Sequence, residues 1–179
     1  TTSVWIASLI CFYLLEFGDR ILVRTLGPTR TYLLVGLIYP LVVGFPLSKL
    51  VSTKRKASFV LAFSILFVAA IALMATCLVL LPGVVGGYAG GVLAISSFGS
   101  GLAYYLNRRS SFIRMGLLLA GWTFLGDYIG YNARHVLGGL RGIFIYATIY
   151  SLFLGSGLGT VLWHVQRRPN THVVPASLM

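Results

Sequence analysis

The sequence predicts an all-α integral membrane protein, a helical bundle of about six transmembrane helices. Three observations predict this fold class: 58% of the 179 residues are hydrophobic, 9% are charged, and the mean hydropathy is +0.91. A soluble domain carries roughly a quarter charged residues, because its surface must stay hydrated. The charge in this chain is too sparse to cover such a surface, which favours a polytopic membrane protein.

Six apolar segments are long enough to cross the hydrocarbon core of a bilayer, which requires about twenty residues per helix. We expect them to form one transmembrane domain over residues 1–166, followed by a short flexible tail at 167–179. Pro82 and Gly83 should separate the third and fourth spans, and Pro40 and Pro46 should kink the second. The predicted spans are residues 3–25, 31–49, 57–81, 84–106, 112–131 and 142–164.

The basic residues predict the orientation of these spans. The net charge of +11 comes from 14 Lys and Arg residues against three acidic residues. If six spans alternate in direction, nine basic residues fall on the side that holds both termini and five on the other. The positive-inside rule then predicts cytoplasmic termini, with the basic residues facing anionic lipid headgroups. This arrangement accounts for the basic excess without nucleic acid as a partner.

The fourth span is rich in glycine and carries a face of small residues at three- or four-residue spacing. That face includes Gly87, Gly91, Ser97 and Gly101. Small residues let another helix approach closely. We therefore expect this face to pack against a neighbouring helix, or against another chain in a homo- or hetero-oligomer. Lining of a pore or substrate path is the alternative.

The stretch EFGDR, residues 16–20, is the first group of charges inside an apolar segment. In a helix, Glu16 and Arg20 would lie one turn apart, with the acid before the base. Ionisable residues at membrane depth are costly and usually functional. The alternative is that the first span ends at Leu15 and that residues 16–30 lie at the membrane interface.

This stretch resembles the E-x-G-D-[KR] signature of a family of small calcium- and manganese-type cation/proton exchangers. The resemblance implies that Glu16 and Asp19 are cation ligands, since hard cations prefer oxygen donors. The chain departs from the family at Ile21, where the family has Thr or Ser. Its nearest second copy of the signature, Leu125-Gly126-Asp127, lacks the Glu.

The last predicted span, RGIFIYATIYSLFLGSGLG, looks locally like a helix of the fungal and bacterial serine/threonine exporter family.

The stretch TFLGDYIGYNARH, residues 123–135, holds the remaining acid, Asp127. If the fifth span runs deep, Asp127 lies on one helix face with Tyr131 and Arg134, as a proton-coupled site would require. The alternative is a short loop at the membrane edge, with Gly130 and Asn132 as turn residues. We expect the loop and keep Asp127 and Arg134 as candidate site residues.

Catalytic and metal-binding patterns are weak. His135 begins an H-x-x-G-x-x-x-G pattern that resembles rhomboid intramembrane proteases, and Ser100 would be its partner. Ser100 lies late in its span, where contact with His135 is difficult, so we predict no enzymatic activity. Cys11 and Cys77 show no metal-ligand spacing, and no cofactor is predicted.

These observations favour a transporter, or a transport subunit, for a small solute or cation. The candidate polar residues are Glu16, Asp19 and Arg20 near one end and Asp127 and Arg134 near the other. The alternative is a non-enzymatic membrane scaffold or assembly subunit, such as a processed piece of a viral or other precursor. A transporter should place an acid in a cavity inside the bundle, whereas a scaffold should leave it at the interface.

Overall fold

The computed structural model describes residues 28–51, 56–81, 83–106 and 111–167, and five residues near the N-terminus, Thr2, Trp5, Ile6, Leu9 and Ile10. This described part contains five helices and no strand, so the all-α class is confirmed. The helices lie at the second to sixth predicted spans, while most of residues 3–25 and the tail at 168–179 fall outside the description. They are α1 (Pro28–Leu50), α2 (Lys56–Leu80), α3 (Gly83–Tyr105), α4 (Phe112–Leu137) and α5 (Gly139–Arg167).

The break between α2 and α3 lies where Pro82 and Gly83 predicted it. Proline has no backbone N–H, and it disfavours helical geometry in the residue before it. The N–H of Leu81 still donates to the carbonyl of Cys77 at 2.9 Å, which closes the last turn of α2. By contrast, α1 continues through both Pro40 and Pro46.

Residues 123–135 are helical throughout, so the expectation of a loop there was wrong. α4 runs to Leu137 and α5 begins at Gly139, which leaves only Gly138 between them. Gly138 and Gly139 have φ angles of 60° and 48°, in the left-handed region that glycine adopts without strain. The chain therefore reverses at this glycine pair, and Gly130 remains inside α4.

Helices adjacent in the chain pack side by side, and α3 also contacts α5. Glycines lie at several of these contacts, because the absent side chain lets a neighbouring helix approach. A Cβ built on Gly44 would lie 3.2 Å from the ring of Phe63, and one on Gly99 would lie 3.1 Å from the Cα of Gly116. At the other end of the chain, the indole of Trp5 donates to Thr148 Oγ1 of α5 at 3.1 Å.

The most extensive contact between two helices of the described residues joins α4 and α5. A Cβ on Gly126 would lie 2.5 Å from the Cβ of Phe153, and one on Gly130 would lie 2.7 Å from the ring of Tyr146. Real Cβ atoms essentially never approach other atoms this closely, so a larger residue at either position would require the neighbouring residue to shift. These two glycines fix the separation and register of the hairpin formed by α4 and α5.

Aromatic rings fill the core between α1, α2 and α3. Tyr39 stacks on Phe67 with a centroid distance of 4.8 Å, and Phe98 packs edge-on against Phe63 at 5.1 Å and Phe67 at 5.9 Å. Phe63 and Leu102 are fully buried in this cluster. Offset and edge-to-face ring pairs add to the free energy gained from burying apolar area.

Large apolar side chains also cover the outside of the bundle. In the most apolar window of α2, 17% of the residues are buried, and Leu61, Ile65 and Val79 are 63%, 59% and 85% exposed. Two helical segments, Lys56–Leu80 and Gly139–Gln166, are long and apolar enough to cross a membrane by length and composition.

We expect the substitution Gly126→Ala to destabilise the protein, because the added methyl group would overlap the side chain of Phe153. The loss should be about 1–3 kcal/mol of unfolding free energy, as for other overpacked interiors. Gly121→Ala is the matched control, since a Cβ at Gly121 of the same helix meets nothing within 4 Å. Thermal unfolding in detergent measures both, and equal midpoints would contradict the close approach of α4 and α5.

Candidate functional site

A cavity of about 320 Å³ lies among α2, α3, α4 and α5, and we call it the Asp127 cavity. Its wall is apolar over most of its extent and carries one carboxylate. The residues that line it are Phe67, Ala70, Ile71, Met74, Gly87, Tyr88, Gly91, Val92, Ala94, Ile95, Phe98, Ala120, Thr123, Phe124, Asp127, Tyr146 and Tyr150.

Asp127 lies on α4, between the two close glycine contacts of the hairpin. Its side chain is half-buried, and its Oδ1 accepts a hydrogen bond of 2.5 Å from the hydroxyl of Tyr146 on α5. The approach at Gly130 brings Tyr146 within reach, because the Tyr146 ring lies directly against that glycine. A hydrogen bond to a charged group is stronger than one between neutral groups, so this contact fixes the carboxylate at the cavity wall.

Besides Tyr146, three hydroxyl-bearing residues line the Asp127 cavity: Tyr88 of α3, Thr123 of α4 and Tyr150 of α5. The hydroxyl of Thr123 donates to the carbonyl of Leu119 at 2.9 Å, so its hydrogen is used within its own helix. Tyr150 lies one helical turn from Tyr146, and their ring centroids are 6.1 Å apart. At the α4–α5 wall, Asp127 and two tyrosines therefore form a small polar cluster, and Tyr88 adds a third tyrosine from α3.

Aromatic side chains make up much of the rest of the cavity wall. Six lining residues carry Phe or Tyr rings, contributed by all four helices around the cavity. Tyr88 of α3 and Phe124 of α4 form one contacting pair, with centroids 6.1 Å apart. Among the described residues that line the cavity, none is Lys, Arg or His. A small solute with an apolar body and a polar or positively charged group matches such a wall.

Of the charged site residues predicted from the sequence, Asp127 is the one that lines the cavity among those that the structure describes. The expected partners, Tyr131 and Arg134, are not among the residues that line the cavity. Tyr131 is 51% exposed and packs on the ring of His135 at 4.4 Å. The carbonyl of Arg134 accepts the N–H of Gly138 at 2.9 Å, so its backbone forms the end of α4. The other candidates, Glu16, Asp19 and Arg20, fall outside the described residues.

The small-residue face predicted on the fourth span is divided in α3. A Cβ on Gly101 would lie 2.5 Å from Leu66 of α2, whereas one on Gly87 would reach only Leu78, at 4.0 Å. A Cβ on Gly91 would meet nothing within 4 Å, and Gly87 and Gly91 both line the Asp127 cavity. Ser97 is exposed. The tightest glycine contacts of α3 are therefore with helices of the same chain.

Ser100 and His135 are far apart in the bundle. Ser100 lies against Gly116 near the start of α4, and His135 lies near the end of that helix. Nineteen residues separate Gly116 from His135, which is roughly 28 Å along a helix. The two side chains do not meet, so the resemblance to a Ser–His dyad has no counterpart in this geometry.

Sequence reasoning missed Tyr146 and Tyr150, which supply the hydroxyl-bearing rings opposite Asp127. Their spacing of four residues inside the apolar stretch IFIYATIYSLF places both on one helix face. Two tyrosines on one helix face in the middle of an apolar span are a sequence pattern that could have identified them as candidate site residues. Without the register of α4 against α5, however, nothing in the sequence pairs them with the acid.

The described residues contain no group of three or more His, Cys, Asp or Glu side chains placed to hold a metal ion. No family model, curated protein or solved structure matches this chain. The geometry of the Asp127 cavity is therefore the basis on which a function can be argued.

We expect Tyr146→Phe and Asp127→Asn to show a coupling energy of about 1 kcal/mol or more in a double-mutant cycle, because Tyr146→Phe removes the donor of the hydrogen bond and Asp127→Asn removes the charge of its acceptor. Unfolding of the four proteins in detergent measures it. The control cycle uses Tyr128→Phe, since Tyr128 neighbours Asp127 in sequence but is 60% exposed. Its coupling should stay within about 0.5 kcal/mol. Equal coupling in both cycles would contradict the hydrogen bond.

Proposed function

We propose that this protein is a multi-pass integral membrane protein that transports a small solute or cation, or forms the transport subunit of such a system. The observation that carries the proposal is Asp127, a half-buried carboxylate on the wall of a cavity between four helices. An ionisable residue that faces a cavity inside an apolar bundle is a common mark of a transport pathway. Asp127 is the binding residue of the proposed pathway, and Tyr146 orients it.

The exposed apolar surface supports the location in a membrane. α2 has 25 residues, and its apolar side chains point mainly outward, unlike those of a core helix in a soluble protein. Soluble monomers rarely expose apolar patches larger than a few hundred Å². In a bilayer, the same side chains would contact lipid chains, and their exposure would carry no penalty.

The hydroxyl groups support the same location. Several Ser and Thr side chains within the helices donate to the carbonyl four residues earlier, which satisfies them without water. Burial in lipid demands such internal satisfaction of polar groups. The hydroxyls at 2.8–2.9 Å from their acceptors are those of Ser64, Thr76, Thr123, Thr148 and Thr160.

The depth of Asp127 within α4 suits a transport site. It lies 15 residues after Phe112 and 10 residues before Leu137, or roughly 22 Å and 15 Å from the two helix ends. A residue at this position would lie well inside the hydrocarbon core if α4 crosses the membrane. A scaffold has no requirement for a carboxylate at such a depth.

We further propose that the first predicted span joins the five helices to give six spans with both termini in the cytoplasm. Gln166 donates to the carbonyl of Leu50 at 2.9 Å, so the ends of α1 and α5 lie together. The basic residues at this end of the bundle include Lys49, Lys56 and Arg114, and the opposite end includes Arg134 and Arg141. This bias agrees with a cytoplasmic face in contact with anionic lipid.

A pair of glycine-to-cysteine variants tests the proposal in a Cys11→Ala/Cys77→Ala background. Gly91 lines the Asp127 cavity and Gly121 lies on the exposed face of α4, and both have open space around a Cβ. The Tyr88–Phe124 contact puts the two positions at similar depth along the bundle. We expect a charged, membrane-impermeant thiol reagent to label Gly91→Cys from one side of the membrane and to leave Gly121→Cys unlabelled.

Each other outcome contradicts part of the proposal. Labelling of both cysteines would put the outer face of α4 in water and contradict the membrane location. Labelling of neither, in protein that retains its fold, would contradict a water-filled pathway and favour the scaffold. Intact vesicles, with and without permeabilisation, show the side from which the reagent enters.

A further inference from the structure

We propose that the Asp127 cavity binds a small monovalent organic cation of the ammonium type, through one carboxylate and a surrounding set of aromatic rings. This inference rests on the proposed transport function and names the substrate class of its site. Three properties of the cavity carry it: the charge of its wall, the number of oxygen ligands it offers, and its aromatic composition.

The charge of the cavity wall favours a cation with a single positive charge. Asp127 is the only acidic residue among those that line the cavity, and the lining residues described include no Lys, Arg or His. Its hydrogen-bond partner, Tyr146, supplies a donor but no positive charge. A buried carboxylate is stabilised when an opposite charge lies beside it, so a monovalent cation in the cavity would complete the pair.

Among the described residues that line the cavity, the oxygen ligands are too few for a hard divalent metal ion. Ca²⁺ takes about six to eight oxygen ligands, several of them carboxylates, and Mg²⁺ needs near-octahedral geometry. The described residues that line the cavity offer one carboxylate, three tyrosine hydroxyls and the hydroxyl of Thr123, which already donates within its own helix. An organic ammonium needs a single counter-charge and no such coordination shell.

The aromatic rings favour an ammonium group over a neutral amine or an alcohol. A cation is attracted to the face of an aromatic ring when it lies within about 6 Å of the ring centroid. Rings surround the cavity on all four helices, and a cation near Asp127 is also near the ring of Tyr146. The six aromatic residues are Phe67, Tyr88, Phe98, Phe124, Tyr146 and Tyr150.

The size of the cavity sets an upper limit on the ligand. Its volume of about 320 Å³ is close to the lower end of the range for small-molecule sites, roughly 300–1,000 Å³. A compact quaternary ammonium fits within this volume, whereas an amphiphile with a long chain would have to extend beyond it. Apolar residues such as Met74, Ile95 and Val92 would contact the methyl groups of such a cation.

The test compares choline with 3,3-dimethylbutan-1-ol, which has nearly the same shape but no charge. Binding is measured by calorimetry on the full chain in lipid nanodiscs, and Ca²⁺ and Mn²⁺ are titrated in parallel. We expect choline to bind and the neutral alcohol to bind at least about tenfold more weakly, because only choline pairs with the carboxylate and the rings.

Four variants assign the binding to the Asp127 cavity. Asp127→Asn should weaken choline binding at least about tenfold, and Asp127→Glu, which keeps the charge, should retain most of it. Tyr88→Leu removes a ring that lines the cavity and should weaken choline binding by several-fold. Tyr131→Leu is the matched control, since this ring is similarly exposed but does not line the cavity, and it should leave binding unchanged.

The outcomes separate this inference from the proposed function. Equal binding of choline and the neutral alcohol, unaffected by Asp127→Asn, would overturn the inference, as would Asp127-dependent binding of Ca²⁺ or Mn²⁺ without choline binding. In both cases, labelling of Gly91→Cys from one side would still support a pathway. Asp127-dependent choline binding without that labelling would support the ligand class and contradict transport.

Discussion

The close approach of α4 and α5 is the constraint on which the rest of the site depends. At Gly126 and Gly130 the two helices meet so closely that no side chain fits between them. The one-residue connection at Gly138 makes them adjacent, and the two glycines fix their register. With that register, the hydroxyl of Tyr146 reaches the carboxylate of Asp127.

A carboxylate in an apolar bundle requires a partner, and this bundle supplies one hydrogen-bond donor and a cavity. Tyrosine satisfies one oxygen of Asp127 without neutralising its charge. The charge is therefore available to whatever enters the cavity, in surroundings where electrostatic interactions are stronger than in water. The apolar wall strengthens this effect because it excludes competing polar groups. In the proposed site, charge and shape together would favour a compact cation, and the aromatic rings would add to that preference.

The outer surface of the bundle carries different kinds of side chain from its interior. Its large apolar side chains are exposed along α2, while small residues and rings fill the contacts between helices. Bundles in lipid gain little from burying apolar side chains, so close packing and internal hydrogen bonds hold them together. Asp127 is the one acid among the described residues, and it faces inward, as ionisable residues within membranes do.

The sequence by itself determined the helical class and the ends of most helices, and it identified Asp127 as a candidate site residue. Composition, apolar run length and the Pro82–Gly83 break depend on local chemistry, which a linear sequence displays. The sequence did not determine that residues 123–135 are helical, because Gly130 and Asn132 are typical turn residues. In the structure, the contact between α4 and α5 stabilises the helix there. Only the tertiary structure paired Asp127 with Tyr146, since that contact joins residues 19 positions apart through the register of two helices. The cavity likewise exists only where four helices meet.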